Sequence, residues 1–187
     1  MTRRAAHIAL AGVAAVLLVA NASAQTAAWR PEFDAALKQR EFAKAFGIAR
    51  EAADQGDPNG RYALARLMRD GVGTARDMTR ARQIFSELAA SGHAESQNAV
   101  GELMRAALGG PKDLDAAGQH FRHAADQGYA PAMSNLARLY RQADFNARDD
   151  TQAYEWALKA ANAGHAPAFG LVGYLILTGT GVGKDPD

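Results

Sequence analysis

Two histidines at helical spacing are the first residues of this sequence that could take part in chemistry. His120 and His123 stand at i and i+3, a spacing at which two imidazoles can reach one metal ion. His120, however, falls at the same place as Ile84 and Trp156 in a repeat of 36 residues, which indicates a packing position. His123 falls at a place that is charged in the other copies, which indicates an exposed position. We interpret His120 as an ordinary packing residue and His123 as an ordinary surface residue, and we expect no metal or other cofactor.

A glycine-rich segment, GTGVGK at residues 179–184, superficially resembles a phosphate-binding loop. Its glycine spacing does not match the phosphate-loop pattern, and the related segment GVGTAR at residues 71–76 explains it as a repeated turn. The chain contains no cysteine, which excludes thiol nucleophiles, disulfides and Cys-ligated metals. Because no nucleophile, acid–base pair or metal cluster recurs in a plausible pocket, the sequence predicts a protein without catalytic activity.

Arginines are the residues that favour binding chemistry. Arg69, Arg105 and Arg141 recur at intervals of 36 residues, and a guanidinium donates forked hydrogen bonds to a carboxylate. The pattern predicts a surface that binds an acidic peptide or another carboxylate. A solvated helix face is the alternative, because arginine is also a good helix former. The full set of predicted partner-binding residues is Tyr62, Arg66, Arg69, Asn98, Glu102, Arg105, Ser134, Arg138, Arg141 and Tyr174.

The elements that must position these residues repeat with the same period. Four glycines stand 36 residues apart without a gap, each preceded by an alanine three residues earlier and followed by a leucine eleven residues later. They are Gly56, Gly92, Gly128 and Gly164. A repeat of this length is typically one supersecondary unit that cannot bury its own apolar face, so neighbouring units stack into a solenoid. The sequence therefore predicts an all-α fold, an α-solenoid of antiparallel helix pairs.

Each period divides into a helix A and a helix B. Proline is tolerated in the first turn of a helix and opens helix A at Pro58, Pro131 and Pro167. Helix B is predicted to start at an aspartate N-cap and to end at the repeated glycine, where a left-handed backbone favours glycine. The predicted caps are Asp77, Asp113, Asp149 and Asp185. A column of small residues is predicted to let neighbouring A helices pack closely, at Ala65, Gly101, Ala137 and Gly173.

Two long segments carry a resemblance to a known family. AADQGDPNGRYALARLMRDGVGTARDMTRARQIFSELAASGHAE and ADQGYAPAMSNLARLYRQADFNARDDTQAYEWALKAANAGHAP resemble Sel1-like repeats, relatives of the tetratricopeptide repeat, and the resemblance covers about residues 30–187. It implies a right-handed superhelix that serves as an adaptor or scaffold for other proteins, often periplasmic or secreted in bacteria. The predicted binding residues lie opposite the apolar stripe of helix A, and in such a superhelix the A helices would line the concave side. The third repeat departs from the family loop, with ADFNARD at residues 143–149.

The first 24 residues are predicted to form a secretory signal peptide. Arg3 and Arg4 give a positive start, residues 8–20 form an apolar run, and Ala22-Ser23-Ala24 fits a cleavage site. An uncleaved N-terminal anchor is the alternative, but the run is shorter than the roughly 20 residues of a membrane span, and no other segment qualifies. Cleavage after Ala24 would leave 19 basic against 20 acidic residues, a net charge of −1, which argues against nucleic-acid binding.

The remaining chain is divided into a capping helix pair and repeats. Residues 25–54 are predicted to cap the N-terminal end, and residues 55–187 to form repeats at 55–90, 91–126, 127–162 and, in part, 163–187. Helix A of the last repeat is the most apolar, and exposing its side chains would forgo roughly 1.5–3 kcal/mol each. Either the natural array is longer, or a second copy or a partner covers these side chains, which are Leu171, Val172, Leu175, Ile176 and Leu177.

Three functional hypotheses follow from the sequence. The first is an exported, non-enzymatic adaptor that binds a partner protein or an acidic peptide. The second is a module that binds cell-wall peptidoglycan or glycan, which would use the same arginines with exposed Tyr62 and Tyr174. An enzyme is the third and least favoured, and the fold resemblance by itself names no partner.

Overall fold

The computed structural model describes residues 28–182, and all regular secondary structure in that range is helical. The predicted signal peptide and the cap at Asp185 lie outside the described residues. Nine helices occur between residues 28 and 182, with odd numbers for A helices and even numbers for B helices. They are α1 (Arg30–Lys38), α2 (Phe42–Asp54), α3 (Pro58–Asp70), α4 (Met78–Ala90), α5 (Ala94–Arg105), α6 (Leu114–Asp126), α7 (Ala130–Tyr140), α8 (Asp150–Asn162) and α9 (Ala166–Thr178).

The described residues divide into two compact units, unit 1 up to residue 76 and unit 2 from residue 77 onward. In unit 1, α2 packs against both α1 and α3, around a core that includes Phe33, Leu64 and Leu67. In unit 2, each helix from α4 to α9 packs against the next one along the chain. Its larger core includes the fully buried Phe121 and Leu139. Burying a side chain of this size contributes about 1.5–3 kcal/mol, so helix-on-helix packing stabilises each unit.

The turns from helix B to helix A confirm the role predicted for the repeated glycines. Gly56, Gly92, Gly128 and Gly164 have φ angles of 83°, 90°, 86° and 79°. In each turn the glycine N–H donates to the carbonyl three residues earlier, and the N–H of the next residue donates to the carbonyl five residues earlier. At Gly128 these bonds run from Gly128 to Ala125 and from Tyr129 to Ala124. This is the Schellman pattern, which satisfies carbonyls that the helix leaves open.

The turns from helix A to helix B confirm the predicted aspartate caps within the described range. The side chains of Asp77, Asp113 and Asp149 accept hydrogen bonds from backbone N–H groups three residues later, at 2.8, 2.9 and 3.0 Å. These bonds satisfy an N–H that has no partner within the helix, and the charge favours the positive end of the helix dipole.

The two glycines in the column of small residues do not make the contact that the sequence predicted. At Gly101 an added Cβ would lie 2.7 Å from the ring of Phe121 and 3.1 Å from the carbonyl oxygen of Ala117, both on α6. The glycine therefore makes room for helix B of its own repeat, and the expectation that this position joins neighbouring A helices is wrong. At Gly173 an added Cβ would meet no heavy atom of the described chain within 4 Å.

The most apolar helix is α9, and part of its apolar surface is exposed. Ile176 and Leu177 are 53% and 89% exposed, whereas Leu175 is fully buried against unit 2. Leu171 and Val172 are half-buried. Self-association through α9 stays a prediction. None of the described helices combines the length and apolar character that crossing a membrane requires.

Candidate partner-binding surface

Helix α3 in unit 1 carries the first three predicted binding residues. The guanidinium of Arg66 is exposed and lies 5.9 Å from the ring centroid of half-buried Tyr62. Arg69 donates from Nε and Nη2 to the two carboxylate oxygens of Asp70, at 2.7 and 2.9 Å. This forked bond is the main reason why the pKa of Asp70 is lowered. The paired guanidinium donors of Arg69, which we predicted to bind a partner, therefore bind a carboxylate of the chain itself.

A recess of about 210 Å³ lies beside Arg66 in unit 1. Its walls are mostly apolar and include Phe33, Phe42 and Leu67, while Arg66 and Asp70 supply the charged groups. Phe42 is 42% exposed at this recess. Of the three unit 1 candidates, Arg66 lines this recess, and Tyr62 and Arg69 do not.

Asn98 and Glu102 belong to a polar bridge between two A helices of unit 2. The side-chain amide of Asn135 on α7 donates to Asn98 at 2.9 Å and to Glu102 at 3.0 Å, both on α5. Asn98 is only 7% exposed and Ser134 only 1%, so the prediction that these two lie on an open face is wrong. Polar side chains inside a helix pair act as register-setting contacts when their hydrogen bonds are made.

The remaining unit 2 candidates are accessible. Arg105 and Arg138 are exposed, and their side chains have no hydrogen bond or ion pair with any residue between 28 and 182. Arg141 lies over the ring of Tyr174, with its guanidinium carbon 4.6 Å from the ring centroid. Tyr174 is 51% exposed. The accessible set thus has three guanidinium groups and, in half-buried Glu102, one carboxylate.

Sequence reasoning missed Asn135, although a signal was present. Asn135 occupies a place where the other copies have Ala63, Ala99 and Leu171. A polar residue in an apolar column indicates a buried hydrogen bond to a neighbouring element. The structure shows that bond between α5 and α7.

The two histidines at helical spacing are placed differently by the fold. His120 is half-buried, its Nδ1 has no hydrogen-bond partner among the described residues, and His123 is exposed. Burial lowers the pKa of His120, and the positive charges of His123 and Arg82 lower it further. Within residues 28–182 no three His, Cys, Asp or Glu side chains are arranged to hold a metal ion.

The sequence matches the family model for the Sel1 repeat at residues 37–57, 58–93, 94–129, 130–165 and 171–187. The chain is a Sel1-repeat protein. The resemblance inferred from the sequence is confirmed, and so is the fold class, an all-α helical-repeat solenoid. Sel1-repeat proteins are generally non-catalytic scaffolds for protein interactions.

Solved structures of other Sel1-repeat proteins are similar to this one. Protective antigen c5321 from uropathogenic Escherichia coli, which displays an SLR fold, is 30% identical with a TM-score of 0.68, over 73% of this chain and 30% of that one. A Sel1 repeat protein from Oxalobacter formigenes is 23% identical with a TM-score of 0.69, over 76% of this chain and 57% of that one. This Sel1-repeat protein therefore spans less than two thirds of the length of each of these relatives. No curated protein matches the sequence.

Proposed function

We propose that this Sel1-repeat protein is an exported, non-catalytic adaptor that binds an acidic segment of a partner protein on its A helices. The observation that carries the proposal is the charge of the accessible candidates on α5, on α7 and directly after α7. Among these candidates, Arg105, Arg138 and Arg141 stand against one carboxylate, Glu102, which already accepts a hydrogen bond from Asn135. The other carboxylate of α5, Glu95, lies 3.6 Å from the imidazole of His93 at the start of the helix. An excess of guanidinium charge attracts an anionic partner.

The three arginines offer different modes of contact. Arg105 and Arg138 can turn their planar forks toward carboxylates, because no side chain of the described range engages them. Arg141 is held over Tyr174, and a cation on an aromatic face keeps its in-plane N–H donors available. Together they fit a flexible acidic peptide better than a single small carboxylate.

Export is supported by the positively charged start, the apolar run and the small residues before Gln25 in the sequence. Export would be tested by cell fractionation, followed by mass spectrometry that identifies the N-terminal residue of the purified protein. A mature form that begins at Gln25 outside the cytoplasm is expected. An intact Met1 in the cytoplasm would overturn this part of the proposal and leave the binding part untouched.

Reversing the charge of the arginines tests the binding proposal. In the triple variant Arg105→Glu, Arg138→Glu, Arg141→Glu, we expect binding of a fluorescent poly-glutamate peptide to weaken at least about tenfold, since several charge-assisted bonds are lost. The matched control reverses the same number of charges on helix B and its loops, at Arg80, Arg148 and Lys159. Equal losses in both variants would show that only overall charge matters, and would overturn the proposed site.

Cell-wall binding is the other candidate, favoured by the exposed Tyr174 beneath Arg141. An aromatic ring that is half exposed beside donors can contact a sugar or a peptide stem. Sedimentation with purified sacculi separates the two functions. Co-sedimentation that is lost in Tyr174→Ala, with poly-glutamate binding absent, would support the cell-wall function instead of the adaptor.

A further inference from the structure

A second recess lies in unit 2, between α6, the end of α7 and the loop at residues 141–149. It has a volume of about 340 Å³. Its lining includes Asp115, Gly118, Arg122, Leu136, Tyr140 and Phe145. None of the ten predicted partner-binding residues lines it, so the recess and the proposed binding arginines are different sets of residues.

The recess exists because two positions of the repeat have exchanged large and small residues. Phe145 stands where the other A-to-B loops have glycine, for example Gly109. Gly118 stands where the neighbouring B helices have Arg82 and Tyr154. The ring of Phe145 is 8% exposed and lies over Gly118, where an added Cβ would be 3.3 Å from it. In this repeat the large side chain therefore belongs to the loop, and the adjacent surface of α6 is not covered by a large side chain of its own.

Arg122 gives one end of this recess a positive charge that no carboxylate of the described chain neutralises. Its Nη2 donates to the hydroxyl of Tyr140 at 2.6 Å, and its guanidinium carbon lies 4.7 Å from the ring centroid of Trp156. A guanidinium has five N–H donors, so most of them remain for a ligand. A partly buried cation without a counter-ion favours an anionic ligand, because the pair offsets the cost of desolvation.

Asp115 gives the other end a negative charge. It lies seven residues before Arg122, which is two helical turns or about 10.5 Å along the same side of α6. Its Oδ2 accepts a hydrogen bond from Asn146 at 3.0 Å, and Oδ1 has no partner in the described chain. The apolar surface of the recess comes mainly from the half-buried ring of Tyr140 and the edge of Phe145, whereas Leu136 forms a floor that is only 2% exposed.

We propose that this recess is a second docking site, for a short extended segment of a partner protein that carries an apolar side chain between a basic and an acidic residue. The acidic residue pairs with Arg122, the basic residue with Asp115, and the apolar side chain packs on Phe145 and Tyr140. Because an extended chain rises about 3.3 Å per residue, the two charged residues of the segment stand about three positions apart.

Selection from a random heptapeptide phage library on the full chain tests the pattern. The enriched sequences are then made as fluorescent peptides, and their binding is measured by fluorescence anisotropy. We expect them to carry an acidic and a basic residue two to four positions apart around an apolar one, consistent with the roughly 10.5 Å span. Enrichment of peptides without this pattern, or no enrichment, would overturn the proposal.

Variants of the recess test the place of binding. Gln119→Trp fills the recess from an exposed lining position and should abolish binding, while the matched control Gln83→Trp, at the same repeat position on α4, should not. Arg122→Gln should weaken binding about tenfold, the loss expected for one charge-assisted contact. Equal binding by wild type and Gln119→Trp would overturn the proposal, as would equal losses with Gln83→Trp. The triple variant of the A-helix arginines should bind these peptides normally, which separates this site from the proposed function.

Discussion

The second and third repeats, at residues 91–126 and 127–162, have A-to-B loops that connect the same kind of helix pair but form different surfaces. In the loop at residues 106–113, Gly109 has φ of 70°, and an added Cβ would lie 2.6 Å from the carbonyl oxygen of Met78. That loop is closed onto the preceding helix B by direct backbone contact. In the loop at residues 141–149, Phe145 replaces the glycine, and its ring makes the contact instead, over Gly118.

These two repeats share their caps and helix pairs, while the contact between the loop and the preceding helix B differs. Asp113 and Asp149 cap their helices in the same way in both repeats. The difference lies in which element supplies the large side chain between the loop and the preceding helix B. In the second repeat it is the helix, and in the third it is the loop. An exchange that conserves total volume is tolerated by a packed core, and here it also leaves a charged recess.

The largest expected effect is the loss of the ring that closes the third loop. Phe145→Ala should lower the free energy of unfolding by about 3 kcal/mol, because a buried aromatic side chain is removed and a cavity remains. Urea unfolding followed by far-UV circular dichroism measures it. In the second loop, Leu108→Ala removes a side chain that is 38% exposed and should cost less than about 1 kcal/mol. Similar losses in the two loops would contradict the comparison.

The next effect tests the backbone contact of the second loop. Gly109→Ala should lower the free energy of unfolding by about 2 kcal/mol, because the new methyl group meets a backbone carbonyl and the φ of 70° is unfavourable for alanine. Gly110→Ala is the matched control. Its methyl group would meet only the end of the Arg82 side chain, which can rotate away. If Gly110→Ala destabilised the protein as much, the contact with Met78 would not be the reason for the glycine.

The shared caps should give smaller and equal effects. Asp113→Ala and Asp149→Ala each remove one side-chain hydrogen bond to a backbone N–H, so each should cost about 1 kcal/mol in thermal or urea unfolding. Replacement by asparagine at either position should restore most of the loss, since its side chain also accepts the bond. A loss at only one of the two caps would show that the repeats differ in more than their loops.

The local features of the fold could be predicted from the sequence because they depend on a few neighbouring residues. The left-handed backbone of the turn favours glycine at Gly128. The side chain of Asp113 is favoured because it accepts a hydrogen bond from the backbone N–H three residues later. Both requirements act within one turn of chain, and within the described residues they recur at four glycines and three aspartates. The repeat therefore made them visible without any knowledge of the tertiary structure.

The contacts of the candidate surface could not be predicted in the same way. Helix periodicity places Asn98 and Arg105 on the same helix, but whether a neighbouring helix covers each position depends on helix orientation in three dimensions. The bond from Arg69 to Asp70 joins adjacent residues, yet it depends on rotamers that the sequence does not fix. The recess at Arg122 depends on two substitutions, Phe145 in the loop and Gly118 on α6, which lie 27 residues apart. The departure of the loop from the repeat pattern does not by itself identify Gly118 as the residue that Phe145 contacts.

The smallest expected effect concerns His120, whose place in the third repeat is taken by Trp156, a residue that does not titrate. Burial first, then the charges of His123 and Arg82, lower the pKa of His120 in the folded chain below the 6.5 of the unfolded chain. As the pH falls through 6.5, the unfolded chain binds a proton that the folded chain does not, so folding stability decreases. The decrease ends once the pH has passed the lowered pKa, because both states are then protonated.

His120→Gln isolates this contribution. The difference in free energy of unfolding between the wild type and the variant, measured by urea titration from about pH 8 to about pH 5, should be constant above the pKa of the unfolded histidine and should shift against the wild type below it. A difference that stays constant over the whole range would mean that His120 keeps its ordinary pKa in the fold. The contrast between the two repeats would then lie in their loops and not in this position of helix B.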